Sequence, residues 1–215
     1  AMLPVPESPA RPLLPAPPTV WRQLADLARL PCRFQEDREG HVWLRNGEEL
    51  ICYRAGDPER PEWVMDSDLY RAVFPGREWK GAWASWARHP GEVWLGTGDG
   101  QVLRRRGGHG MSTALRGGGA HSPACGFACC RGSLFLANAE GLWFWDEHAG
   151  CWGKQESFPG QAPLGLCALG PGEEELVVAE RERVWVGLGE RWRVIWEAEA
   201  GQELVRLQTA APGEL

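Results

Sequence analysis

Four short apolar triplets punctuate the chain: Val42-Trp43-Leu44, Val93-Trp94-Leu95, Leu134-Phe135-Leu136 and Leu176-Val177-Val178. Each is followed eight or nine residues later by a second apolar segment, centred on Ile51, Leu103, Phe144 or Trp185. An apolar stretch also precedes each triplet, at Pro31 to Phe34, Trp83 to Trp86, Gly126 to Cys129 and Gly165 to Ala168. A fourth segment closes each unit, carrying Trp63, Ala114, Trp152 or Trp192 to Trp196. Apolar runs of this length, bounded by turn residues, read as strands. Asn46-Gly47, Gly98-Asp99-Gly100 and Glu140-Gly141 supply residues that tolerate positive φ between the second and third strands, as tight hairpins require. Pro90-Gly91 and Pro171-Gly172 do the same between the first and second strands of two units.

The last three triplet centres lie 41 and 42 residues apart, within the roughly 40 to 50 residue period of β-propeller blades. The expected fold is therefore all-β: a β-propeller of four to five four-stranded blades, incomplete or closed by its termini, with a short N-terminal helix. The blades fall at about 31–65, 82–116, 126–155 and 165–198, with a partial one over 203–215. That partial unit rests on Leu204-Val205-Arg206-Leu207, which repeats the strand preceding a triplet, and on Ala211-Pro212-Gly213-Glu214, which repeats its turn. The segment around Val20 and Trp21 is expected to meet this last strand, helping to close the ring or to cover the open edge; the competing expectation is a fragment whose missing blades come from another chain or a longer parent.

Two stretches break the strand pattern. Thr19 to Leu30 places Leu24, Leu27 and Leu30 at three-residue spacing behind a possible N-cap at Thr19, which predicts a short amphipathic helix. Ser67 to Phe74 follows Asp66 and predicts a helical insertion between the first two blades. Ahead of both, residues 1–18 are rich in proline and form an expected linker without packed structure.

Composition changes the picture at three points. Tryptophan occurs 13 times, and a side chain burying roughly 150 to 250 Å² suits the wedge between neighbouring blades. Because Trp43 and Trp94 share their repeat position with Phe135 and Val177, that position is a packing slot. The seven cysteines form an odd set without framework spacing, which predicts reduced, structural thiols. A net charge of −6 argues against nucleic acid, and no apolar run approaches the roughly 20 residues that span a bilayer. The expected setting is cytoplasmic, with no membrane partner.

Candidate chemistry is sparse. His121, Cys125, Cys129 and Cys130, with His109 upstream, supply zinc-type ligands, but no paired C-x-x-C or H-x-x-x-H module. His121, Cys125 and Cys129 are thus weak metal candidates, and the expectation is no metal and no cofactor. Gly96-Thr97-Gly98-Asp99-Gly100 resembles a phosphate loop, yet Gln101-Val102-Leu103 continues as a strand where a phosphate site needs a helix. No G-x-S-x-G elbow or H-E-x-x-H helix appears, so no catalytic residue is assigned and an enzyme is not expected. Arg104, Arg105 and Arg106 at a blade edge, and Tyr70 and Phe74 on the insertion, are the residues assigned to interaction.

Glu92-Val93-Trp94-Leu95-Gly96-Thr97-Gly98-Asp99-Gly100, and the stretch from Leu134 through Asn138 and Gly141 to Phe144, resemble bacterial propeller repeats of the two-component-regulator sensor type. The chain is also similar to the tryptophan-rich bacterial propellers that accompany MoxR-type ATPases and von Willebrand A-domain proteins. Both resemblances imply a binding or sensory module without chemistry of its own. The expected function is a protein-interaction scaffold or sensor domain with a protein partner, self-association through an open propeller edge being a second route. A propeller binding a small ligand or carbohydrate through Trp63, Trp79 or Trp152, and an enzyme with a site on one face, are the alternatives.

Overall fold

The computed structural model describes residues 33–37, 39–46, 48–54, 57–89, 91–107, 111–113, 122–169, 173–199, 202 and 204. The first sheet comprises β1 (Arg33–Glu36), β2 (Val42–Arg45), β3 (Leu50–Arg54) and β4 (Asp57–Met65), after which α1 (Ser67–Val73) leads to the second. That sheet holds β5 (Ala82–His89), β6 (Glu92–Thr97), β7 (Val102–Arg106) and β8 (Met111–Thr113). The third holds β9 (Ala124–Cys130), β10 (Ser133–Asn138), β11 (Gly141–Asp146) and β12 (Cys151–Lys154). The fourth holds β13 (Gly165–Leu169), β14 (Glu175–Ala179), β15 (Arg183–Leu188) and β16 (Arg191–Glu197). In every sheet the strands pair antiparallel in chain order, a simple meander.

All four apolar triplets lie on second strands, and their partners on the third strands are close to the predicted centres. Leu44 opposes Ile51, Leu95 opposes Leu103, Phe135 opposes Phe144 and Val178 opposes Trp185. Gly100 and Gly141 take positive φ, 79° and 136°, as their turns demand. Another tight turn carries no glycine-pair signal in the sequence: Arg131 (φ 49°) and Gly132 (φ 79°) together reverse the chain between β9 and β10. Arg131 is held there from the fourth sheet, its N–H donating to Glu173 O and its Nε to Glu174 O. The insertion is helical, with the Asp66 carboxylate accepting from the N–H groups of Asp68 and Leu69.

Small residues on the first strands and large ones on the outer strands set the geometry between sheets. β5, β9 and β13 lie alongside one another, and their buried residues include Ala82, Ala84, Ala87, Ala124 and Ala128. The approach is close enough that a Cβ on Gly96 of β6 would stand 2.5 Å from Ala124 Cβ, and one on Gly126 would stand 3.2 Å from Leu166 N. Farther out, the gaps widen and are filled by aromatics. Trp63 of β4 packs in the first seam, Trp145 and Trp152 of β11 and β12 in the second, and Trp192 of β16 in the third. Side chains that taper in this way hold flat sheets in a fan.

The Pro-rich run 1–18, the helix expected over Thr19 to Leu30, and the strand and turn expected over 205–215 lie outside the described residues. Cys32, Gly47, Pro90, His109, Ala114, His121, Pro171 and Gly172 do too. Among the described residues, no helix is long and apolar enough to cross a membrane.

Candidate interaction surface

The meander assigns every turn to one of two ends. One end collects the turns between second and third strands together with the connections that run from sheet to sheet, 66–81 and 155–164. Each of its turns is braced by a side chain. Asn46 Oδ1 accepts from the N–H groups of Glu48 and Glu49, and Thr97 Oγ1 from that of Gln101. The fully buried Asn138 accepts at Oδ1 both from Glu140 N–H and from the Trp143 indole, each at 3.0 Å. Glu180 does similar work in the fourth sheet, taking the Trp185 indole N–H at 2.7 Å on one oxygen and the N–H groups of Gln161 and Ala162 on the other. These bonds tie the long 155–164 connection to the turn beside it, so the loops of this end rest on a rigid frame.

Trp83, at the start of β5, opens from that frame. It is 54% exposed, whereas the other tryptophans belong to buried or half-buried sites among the described residues. Its indole N–H donates to Lys80 O at 3.1 Å, and its backbone carbonyl accepts from the Arg45 guanidinium, which also donates to Ala82 O. Gly98 provides the floor: a Cβ there would come within 2.5 Å of Trp83 Nε1. The ring is therefore held at its N–H and above Gly98, and its backbone at the carbonyl, while much of the ring faces water. Leu164, just before β13 at the same end, is 49% exposed.

At the opposite end the charged groups are tied into structure. Arg104 of β7 stacks its guanidinium 4.6 Å from the Trp94 ring and 5.4 Å from that of Trp145, and bridges to Glu147 of the third sheet at 2.6 Å. Desolvation pushes the Glu147 carboxyl up, but the Arg104 hydrogen bond and the nearby positive charges outweigh it and hold the group below its ordinary value. In the first sheet the buried Asp37 carboxylate accepts from the N–H groups of Glu39 and His41, from the His41 ring, and from the Trp43 indole at 3.0 Å. The six described cysteines carry free thiols. Burial, with the charges of Glu62 and Asp37, pushes Cys52 up to about 12, and burial raises Cys167 to about 11. Thiols held so far from ionisation are poor nucleophiles at neutral pH.

Comparison with known proteins adds the fold. No protein-family model matches the sequence, and no curated protein matches it. Among solved structures, the chain is similar to the extracellular domain of a hybrid two component system from B. thetaiotaomicron, with TM-score 0.52 and 10% identity over 79% of this chain and 22% of that one. It is similar to virginiamycin B lyase from Staphylococcus aureus, with TM-score 0.54 and 10% identity over 76% of this chain and 54% of that one. A chain of the Mitotic Checkpoint Complex matches with TM-score 0.50 and 14% identity over 79% of this chain and 53% of that one. All three are propeller folds. The match thus spans between a fifth and about half of those chains, and the fold of this one is all-β and propeller-like.

The residues expected to interact fare differently within that fold. Tyr70 is fully buried, donating its hydroxyl to Asp99 and packing 5.0 Å from Phe74, which is itself half-buried against the first seam. The helix turns these rings inward onto the first core cluster, where Leu69 and Trp79 also pack. Arg104, with only 11% of its side chain exposed, and Arg105, stacked 4.9 Å over Trp63, reach into opposite seams as strand alternation requires, leaving Arg106 exposed. Of the tryptophans considered for ligand stacking, Trp152 is buried, while Trp63 and Trp79 pack half-buried against the first core, Trp79 donating to Glu48 O. Cys129 is buried and Cys125 half-buried on β9, and among the described residues no cluster of histidine, cysteine and carboxylate groups has a metal-holding arrangement. No local pattern announced Trp83: a bulge between Ala82 and Ala84 breaks the alternation, so that Ala82 packs in the first seam, Ala84 in the second, and the ring between them faces outward.

Proposed function

We propose that this chain is a non-catalytic propeller module that recognises a protein partner, as a scaffold or sensor domain in a cytoplasmic setting. One observation carries the reading: the braced turns and the two described long connections gather at one end and hold an indole open to water, while Asp37 and Arg104 are engaged by neighbouring side chains and Cys52, Cys129 and Cys130 are buried. Loops on a rigid frame are where recognition resides. The test is a photo-crosslinking amino acid placed at Leu164 and, as a control, at the exposed His148 in the turn between β11 and β12, at the opposite end. Expected is a discrete crosslinked protein species from position 164 and none from 148. Turnover of a substrate by the purified chain, or selective retention of one glycan on an array, overturns the proposal.

The proposal includes ring closure within the chain. Leu204 N–H donates to Arg181 O at 2.7 Å, and the Leu204 side chain packs on the outer face of the fourth sheet with Val177, Val184, Val186 and Trp196. The sequence pattern over 203–215, which repeats a first strand and its turn, is the ground for proposing a fifth blade completed by the N-terminal segment. Deleting 203–215 is expected to abolish a single cooperative unfolding transition in the monomer. An unchanged melt refutes self-closure.

A further inference from the structure

We infer that the end carrying Trp83 docks an extended partner segment that presents an apolar side chain flanked by arginine or lysine. The inference rests on the interaction-module reading and specifies its face and its partner's chemistry. An exposed indole of this size carries an unfavourable contact with water, and tryptophan is among the residues that most often dominate binding at interfaces. A ring fixed before binding also loses little freedom when a partner covers it. Trp83 meets both conditions, being held by Lys80 O, by the Arg45 grip on its carbonyl and by the bare floor at Gly98.

The surrounding charge selects the partner. The turn that floors the ring continues into Asp99, and the 46–49 turn that bonds Trp79 carries Glu48; both residues are exposed. Glu182 adds an exposed carboxylate from the fourth sheet's turn at the same end. Among the cations here, Arg71 pairs with Asp68 and Lys80 with Glu78, Arg77 lies beside the Tyr70 hydroxyl that donates to Asp99, and Arg45 keeps its charge while donating to two backbone carbonyls. Across the turns and connections of this end the carboxylates still outnumber the cations, and a net negative charge attracts cationic segments and disfavours acidic ones.

A synthetic peptide array tests this directly, using twelve-residue peptides with one central Leu, Phe or Trp flanked by arginine and lysine, by glutamate, or by serine. The purified full chain is expected to retain the cationic apolar set, with affinity falling several-fold when salt is raised from about 0.05 to 0.5 M. Trp83→Ala is expected to weaken retention at least tenfold, Trp83→Phe to an intermediate degree, and Glu48→Gln with Glu182→Gln about threefold. Circular dichroism and melting of each variant separate lost binding from lost folding. Retention of glutamate-flanked peptides equal to the cationic set, full retention by Trp83→Ala, or no retention by the parent chain each overturns the inference. In all three cases the crosslinking result at position 164 still judges the interaction-module reading by itself.

Discussion

Trp94 and Trp83 stand on adjacent strands of one sheet, eleven positions apart, yet they are in opposite physical situations. Trp94 is 1% exposed, and its indole N–H has no hydrogen-bond partner among the described residues; contact alone holds it, from Trp145 at 4.8 Å, Trp152 at 5.4 Å and Arg104. Trp83 has its N–H satisfied and its ring uncovered. One ring is in a seam between sheets, where shape decides; the other is on a rim, where polar bonds decide. Hydropathy scores the two alike, so the difference shows what a tryptophan count conceals: the same residue type serves as filler and as presented surface.

The largest effect is expected from emptying the seam. Trp94→Ala should cost about 3 to 5 kcal/mol, as large-to-small core changes do, read as a large drop in the urea midpoint. A sharper probe asks whether packing or bonding holds each ring. Trp143→Phe leaves Asn138 Oδ1 short of a donor in a buried place, which should cost about 1 to 3 kcal/mol. Trp152→Phe removes an indole N–H that has no partner among the described residues, and should cost clearly less; equal costs would contradict the distinction between the two rings.

The clamp across the same seam makes a pH-dependent prediction. Glu147 has a folded-state pKa held below its ordinary value, so its contribution is fully present above the ordinary carboxylate range and is lost as pH falls through the lower, folded value. At pH 7, Glu147→Gln should unfold at lower urea than the parent, and the gap should close under acid conditions below that range. A gap that widens on acidification would show that the Arg104 contact is not what sets this group. The smallest stability effect belongs to Trp83→Ala, within about 0.5 kcal/mol, even though its predicted effect on binding is the largest. A destabilisation as large as that of Trp94→Ala would move Trp83 into the core.

The fold was legible because each repeat wrote its hydrophobic strand in the same register: the centres at Ile51, Leu103, Phe144 and Trp185 fall on β3, β7, β11 and β15. The site was much less so. Tyr70 and Phe74 looked like one face of an exposed helix, since seven residues of helix do not declare which side is covered; only the tertiary position of α1 over the first seam turned them inward. In a strand, alternation alone separates Arg104 from Arg105, but it does not say what lies opposite either of them. Trp94, Trp145 and Glu147, up to 43 residues from Arg104, supply its partners, and no local pattern announces contacts across sheets. Trp83 was hidden by its company, an apolar stretch in which the neighbours on both sides are packed and it is not. The bend at Arg131 escaped for a related reason: the bonds from Glu173 and Glu174 that support a positive φ at a non-glycine residue come from another sheet.

The chain-order meander bears on how the protein is made. Each of the four described sheets is one unbroken segment, and each seam between them joins sheets adjacent in sequence. A ribosome delivering the polypeptide from its N-terminus releases the fourth strand of a sheet before the first strand of the next, so hairpins close over short loops and each finished sheet becomes the template on which its successor settles. Synthesis and assembly of the four described sheets thereby advance in the same direction.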